Sequence, residues 1–367
     1  MLAYLVRRFL LIIPTLLGIM VLNFIIINAA PGGPVEQVLA RLQGTAVDAT
    51  ARFSGSSQGE AGGGQRRVGS GEPSKYRGAR GLDPKFIQEL ERQFGFDKPA
   101  HERFLLMIGR YLRFDFGESF FRSRSVIALV IDKMPVSISL GLWTTLLVYA
   151  ISIPLGVAKA VRDGSRFDVW TSAVVIVGNA IPGFLFAILL IVVFAGGRYF
   201  SWFPLRGLVS DNFYDLSIWG KIVDYSWHMT LPITSLVISG FAGLTMLTKN
   251  SFLDQINQQY VLTARAKGLT ERRVLYRHVF RNAMLIVISG FPNALLGILF
   301  TGAFLTEVIF SIDGIGLLGF QAAVTRDYPV MFGTLYCFTV LGLVMKLLED
   351  LTYVLVDPRI DFERRET

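Results

Sequence analysis

The residues able to do chemistry in this chain are few and scattered. Three histidines, His101, His228 and His278, stand too far apart in sequence to make a local ligand cluster, and neither HExxH nor GxxxxGK[ST] occurs. The chain therefore carries neither that zinc-protease helix nor a phosphate-cradling loop of its own. Cys337 is the one cysteine and lies in an apolar run, which leaves no disulfide framework and no metal-type cysteine spacing. Lys346, Glu349 and Asp350 also fall within an apolar run. Ionisable groups at membrane depth mark a pathway or a pair. Their i,i+3 and i,i+4 spacing lets the lysine pair with either acid on one helix, so pairing is expected. Glu307 and Asp313, in TEVIFSIDGIG, are carboxylates suited to meet a cationic group beside another apolar run. No Ser/His or Asp/Asp pair stands out for intramembrane catalysis, and the chain reads as a non-enzyme.

The densest cluster of charge is of another kind. TARAKGLTERRVLYRHVFRNAMLIV, residues 263–287, is strongly basic yet runs directly into an apolar segment. Ser251 is placed to cap a helix over SFLDQINQQYVLTARAK, with Asp254 in its first turn and Arg265 and Lys267 in its last, a polarity that suits the macrodipole. Gly268 stands where helices commonly end in a left-handed residue. Thr270 is then placed to cap a second helix that begins at Glu271 and runs through VLYRHVF. The low bulk of Ala264, Ala266 and Gly268 suits a helix that enters a partner's groove. His278 is read as a basic helix-face residue at an interface rather than as a pH sensor.

The elements that position this loop are membrane spans. Of 367 residues, 52% are hydrophobic and 17% charged, against about 25% charged in a soluble domain, and the mean hydropathy is +0.49. The apolar residues gather into runs of the length a bilayer requires, about 20 residues. The first is Phe9 to Ala30, too long for a signal-peptide core and followed at once by Pro31, so it is read as a retained helix. The others are Val136 to Val161, Val169 to Ala195, Leu231 to Leu247, Met284 to Thr306 and Phe332 to Val356. Between the first and second lies a long segment, 31–134. Within it 44–81 holds ten glycines and five serines and is expected to be flexible. Helices are predicted over LDPKFIQELERQFGF and over PAHERFLLMIGRYLRF, the latter with an apolar stripe of Phe104, Leu105, Ile108 and Leu112.

Six spans place both termini on one side, and lysine and arginine counts say which. Lys159, Arg162 and Arg166 follow the second span, seven Lys or Arg lie in 249–283, and Arg359, Arg364 and Arg365 lie in the tail, 357–367. The opposite loops are poorer, so the termini and the basic loop are expected in the cytoplasm. Topology thus accounts for the net charge of +8, and a nucleic-acid partner loses its main support. The loop 196–230 is rich in aromatic residues, as interfacial belts are.

ARAKGL followed by RHVFRNA resembles the cytoplasmic motif of the inner-membrane permeases of binding-protein-dependent ABC importers, in their dipeptide/oligopeptide variant. APGGP after the first span, FDKPAHERF and FDFGESF before the second, IPGF in the third, TRDYPVMFGTLY before the last and DPR after it extend the resemblance. It covers the chain except 44–81. SRFDVW, FPLRGLVS, GFAGLTMLTKNSFLD and LVDPRIDFE resemble a nearer branch of oligopeptide permeases. Two departures from the wider pattern are Ile286 in place of a proline and Leu262-Thr263-Ala264 in place of a Glu-Ala-Ala triplet.

The resemblance implies an all-α polytopic membrane protein with the type I ABC importer permease fold: a first helix, 1–30, an external segment, 31–134, and a five-helix core, 135–356. It places Ala264, Arg265, Ala266, Lys267, Gly268, Glu271, Arg277 and His278 in the loop that couples to an ATP-binding subunit. It implies a bacterial inner-membrane location and no cofactor in this chain, with ATP and Mg on partner ATPase subunits. The other implied partners are a second related permease, a periplasmic peptide-binding protein and membrane lipid. Polar or aromatic residues beside helix breakers, Trp143, Asn179, Phe184, Phe291 and Asn293, together with Glu307, are the candidates for lining the path. The alternative is a self-sufficient secondary transporter or channel, which would need mid-membrane ion-coupling carboxylates and internal repeats. Neither stands out.

Overall fold

Long apolar runs in this sequence become helices because no water is present in a bilayer core to satisfy an open backbone. A computed structural model describes residues 2–29, 98–297 and 303–356, and among them every extended element is helical. The expected helix over LDPKFIQELERQFGF, the 44–81 segment, the APGGP stretch and the basic tail lie outside the described residues.

The helices are α1 (Leu2–Ala29), α2 (Ala100–Tyr111), α3 (Val126–Val161), α4 (Arg166–Ala180), α5 (Gly183–Phe194) and α6 (Ile218–Ile256). After them come α7 (Gln259–Ala266), α8 (Glu271–Arg273), a π-helical turn (Val274–Val279), α9 (Phe280–Ser289) and α10 (Phe291–Gly297). The described chain closes with α11 (Ala303–Ile309), α12 (Ile315–Thr325) and α13 (Tyr328–Val356). Among the described residues, three helices are each long and apolar enough to cross a membrane: α3, α6 and the Tyr328–Thr352 part of α13. A shorter apolar stretch, Leu10–Ile26, lies within α1.

Two of the expected spans are not single helices. The third is bent by 91° between α4 and α5. Ile181, the residue before Pro182, is extended at φ −92° and ψ 120°, as a residue preceding proline prefers, and the helix ends there. The fifth is interrupted at Gly290, between α9 and α10, and residues 298–302 lie outside the described residues. The fourth, by contrast, is much longer than its apolar run. α6 has 39 residues, starts at the Ser217 cap and passes through Pro232. Ser226, Thr230, Thr234 and Thr245 each donate a hydroxyl to a carbonyl one turn back, the usual solution for polar side chains in an apolar helix.

The chain divides into two compact units. One comprises Met1–Leu10, Lys133–Leu317 and Val340–Thr367. Here α6 packs on α4, α5 and α9. A core of Val157, Ala160, Phe252, Val261, Ala264, Val274, Val279, Ala283, Met284 and Val287 joins α3, α6, α7, the π turn and α9. Lys346 pairs with Glu349 at 2.6 Å, while Asp350 takes Arg8 of α1 as its partner. The expected intrahelical pairing thus selects one acid of the two.

The other unit comprises Leu11–Asp132 and Leu318–Thr339. Tyr111, Phe116 and Tyr336 form a ring cluster with centroids 5.0–5.5 Å apart. The Ser119 hydroxyl donates to the Asp327 carboxylate, and the Phe120 N–H donates to the same group at 3.3 Å. Asp327 lies between α12 and α13, and burial pushes its carboxyl above the usual range despite these donors and nearby Arg122. On α2 the buried face is Phe104, Ile108 and Tyr111, with Phe104 against Phe24 of α1, whereas Leu105 and Leu112 stay exposed.

Candidate coupling site

The basic loop is built differently from its sequence pattern. α6 runs on to Ile256, so Ser251 lies inside a helix and caps nothing. Its hydroxyl instead donates to the Ala283 carbonyl at 2.6 Å and ties α6 to α9. Asp254 is therefore in the last turns of α6, not the first turn of the loop helix. A break at Asn257 and Gln258 then starts α7, eight residues long.

α7 ends as its sequence indicates. Gly268 adopts φ +77°. Its N–H donates to the Arg265 carbonyl at 2.9 Å, and the Leu269 N–H donates to the Ala264 carbonyl at 3.3 Å. This is the Schellman arrangement, in which a left-handed residue lets two amides turn back onto the last carbonyls. Thr270 precedes α8 in an extended conformation but makes no side-chain cap. The Arg265 guanidinium donates twice to Glu271, at 2.8 and 3.1 Å, and so staples α7 to the start of α8 across the glycine turn.

Burial separates the loop into two faces. Val261 and Ala264 point inward, at 0% and 6% exposure, into the core with Val157, Ala160 and Phe252. Ala264 is enclosed within a core of its own chain that includes Val157 and Ala160 of α3, which corrects the expectation that it offers room to a partner. Leu262, Arg265, Ala266, Lys267 and Gly268 face outward, joined by Glu271, Tyr276 and Arg277, while His278 is half-buried. The exposed Leu262 and Tyr276 escaped the sequence reading. Their signal was present, since two large apolar residues stand among charges in a loop.

The candidate path residues are dispersed. Trp143 borders a cavity of about 640 Å³ with Phe213, Lys221, Tyr225 and Met229. Asn179 and Phe184 are exposed on either side of the α4–α5 bend. Phe291 packs edge-on against Tyr149 with centroids 5.2 Å apart. The Asn293 side chain lies outside the described residues.

Glu307 differs from its expected role as a path-lining group. It is fully enclosed, accepts from Ser137 Oγ at 2.6 Å and from the Leu317 N–H at 3.0 Å, and so caps the start of α12. Asp313 pairs with Lys133. Both carboxylates are spent on partners within the chain. Among the described residues no group of His, Cys, Asp or Glu is arranged to hold a metal.

Long apolar helices carrying one short, stapled helix hairpin define a polytopic helical membrane protein. Residues 152–362, more than half of the chain, match the family described as binding-protein-dependent transport system inner membrane component. The chain belongs to that family and is a permease subunit, not an enzyme. It is 61% identical to the peptidoglycan transport system permease protein YejB of Agrobacterium fabrum, covering 99% of both chains. It is 59% identical to the inner membrane ABC transporter permease protein YejB of Escherichia coli O157:H7, over 99% of this chain and 100% of that one. The oligopeptide transport system permease protein AppB of Bacillus subtilis is 34% identical over 99% of this chain and 100% of its own. Among solved structures, the MetNI methionine ABC transporter in an inward-facing form matches with a TM-score of 0.50 and 16% identity, over 63% of this chain and 97% of that chain. That likeness concerns the fold alone.

Proposed function

We propose that this chain forms half of a membrane pathway that imports oligopeptides, driven by ATP hydrolysis on a separate cytoplasmic subunit. The carrying observation is the two-faced loop. Val261 and Ala264 anchor α7 in the core shared by α3, α6 and α9, while Leu262, Ala266, Lys267, Gly268 and Tyr276 are left outward. A rigid, stapled projection with an exposed apolar centre and a cationic rim is a suitable handle for another protein. A second related permease completes the pathway. A periplasmic binding protein delivers the peptide, and ATP with Mg stays on the ATPase. Both termini and the coupling loop face the cytoplasm of a bacterium, in keeping with the lysine and arginine distribution. The peptide class is drawn from the relatives named for peptidoglycan and oligopeptide transport.

Gly268→Leu tests this reading. A bulky residue at φ +77° strains the turn and presents a side chain at the tip. The expected result is loss of labelled-tripeptide uptake together with weaker co-purification of an ATPase subunit. Normal uptake, with no ATPase ever found associated with the wild-type chain, would overturn the proposal. Uptake lost on collapse of the proton gradient at constant ATP would favour a secondary carrier.

A further inference from the structure

Beside the coupling core lies a buried charge cluster that the reading above does not use. Lys159, in the last turn of α3, is completely enclosed. Its ammonium reaches Asp168 Oδ1 at 3.0 Å and the Asp168 carbonyl at 3.1 Å. The same group donates to Thr171 Oγ1 at 2.9 Å and Ser172 Oγ at 2.6 Å. The other carboxylate oxygen, Oδ2, accepts from Lys249 of α6 at 2.7 Å and from the Gly164 N–H at 3.2 Å. Lys249 also meets Asp163 at 2.8 Å. Asp168, in the first turn of α4, thus bridges α3 and α6 with one carboxylate.

The two lysines border the helix segments that hold α7. Val157 and Ala160 flank Lys159 in sequence, and Phe252 stands three residues after Lys249. All three contribute to the core that contains Val261 and Ala264. At the same level α3 and α6 touch backbone to backbone. A methyl group added at Gly156 would lie 2.6 Å from Thr248 Cβ and 2.8 Å from the Thr245 carbonyl oxygen. These two helices and the coupling hairpin therefore make one tightly packed body. α4 reaches that body through its own contacts with α6 and through the Asp168 carboxylate, and it continues into the 91° bend.

We infer that Asp168 is a positioning residue for transport: it clamps the end of α4 to the α3–α6 pair, so that displacement of the coupling hairpin is passed to the bent α4–α5 span. The inference rests on the coupling role proposed above. Two lysines and two aspartates balance in charge, so the cluster holds together without an external ion. Removing the Asp168 charge leaves the enclosed Lys159 ammonium and the largely buried Lys249 ammonium short of their shared partner. That change alters no residue of the hairpin.

The test uses the assembled complex in proteoliposomes, with the binding protein supplied and a radiolabelled tripeptide as probe. Both uptake and phosphate release are measured. For Asp168→Asn, the expected result is a complex that still contains the ATPase and hydrolyses ATP near the wild-type rate. Tripeptide taken up per ATP should fall about tenfold or more, and Asp168→Glu should recover a substantial part. A role confined to stability would lower complex yield, hydrolysis and uptake together, and that parallel loss overturns the proposal, as does an unchanged uptake per ATP. If Asp168→Asn fails to assemble, Asp163→Asn decides. Asp163 is half exposed and removes only one of the two carboxylates on Lys249, so uptake per ATP should fall two- to threefold, and a wild-type ratio overturns the proposal. Absence of any ATPase in the wild-type preparation would refute the coupling reading itself, which is a distinct outcome.

Discussion

Single side chains in this protein differ sharply in what their bonds are worth, and burial sets the difference. The Arg265–Glu271 pair has good bidentate geometry, but its side chains are 39% and 73% exposed. Exposed pairs of this kind contribute about 0.2–1 kcal/mol. Arg265→Lys should therefore leave the melting temperature of the purified chain almost unchanged. Glu307 is the opposite case. Glu307→Ala strips the acceptor from the Ser137 hydroxyl and the Leu317 N–H inside an enclosed site, and an unsatisfied buried polar group costs about 1–3 kcal/mol. Thermal unfolding in detergent should show a clear loss for Glu307→Ala and a smaller one for Glu307→Gln, which keeps an acceptor oxygen. Equal losses for the two would refute the capping role.

At the scale of elements, packing overrides local signals more than once. A serine followed three residues later by an acid is a reasonable start to a helix, yet α6 passes through Ser251 and Asp254 without interruption. Helix continuation there is favoured by burial of Phe252 in the core beneath α7 and by the bond from Ser251 to Ala283. The α3–α6 crossing gives a direct prediction. Gly156→Leu forces bulk against the Thr248 side chain and the Thr245 carbonyl. Overpacking of this kind typically costs about 1–3 kcal/mol, and the yield of monodisperse protein on size exclusion should fall. Gly243→Leu on α6, where an added Cβ meets nothing within 4 Å, is the control and should leave the yield unchanged.

For the whole molecule, the question is which parts face which side of the bilayer. In a Cys337→Ser background, Lys267→Cys at the hairpin tip should resist a membrane-impermeant thiol reagent in intact cells and react after permeabilisation. Lys221→Cys, on the opposite side of α6 from the hairpin in chain order, should react in both conditions. A reversed pattern would invert the proposed orientation. Labelling of both sites in intact cells would contradict a single-crossing α6.

How much of this was legible beforehand depends on the range of the interaction involved. Local chemistry was readable from the sequence: an all-helical membrane chain, from the length and spacing of its apolar runs; a helix end at Gly268, from a residue without a Cβ; a lysine–acid pair near residue 346, from helical spacing. The turn that closes ARAKG was legible because its chemistry lies within a few residues. Only the tertiary structure decided that Ala264 faces its own chain, that Glu307 is a sealed cap and not a lining, and that α4 and α5 meet at a right angle. It also turned Lys159, a residue counted merely as cytoplasmic charge, into the enclosed partner of Asp168. Each of these depends on which helices lie side by side, and a charge or a methyl group acquires its role only from neighbours brought together across many residues of chain.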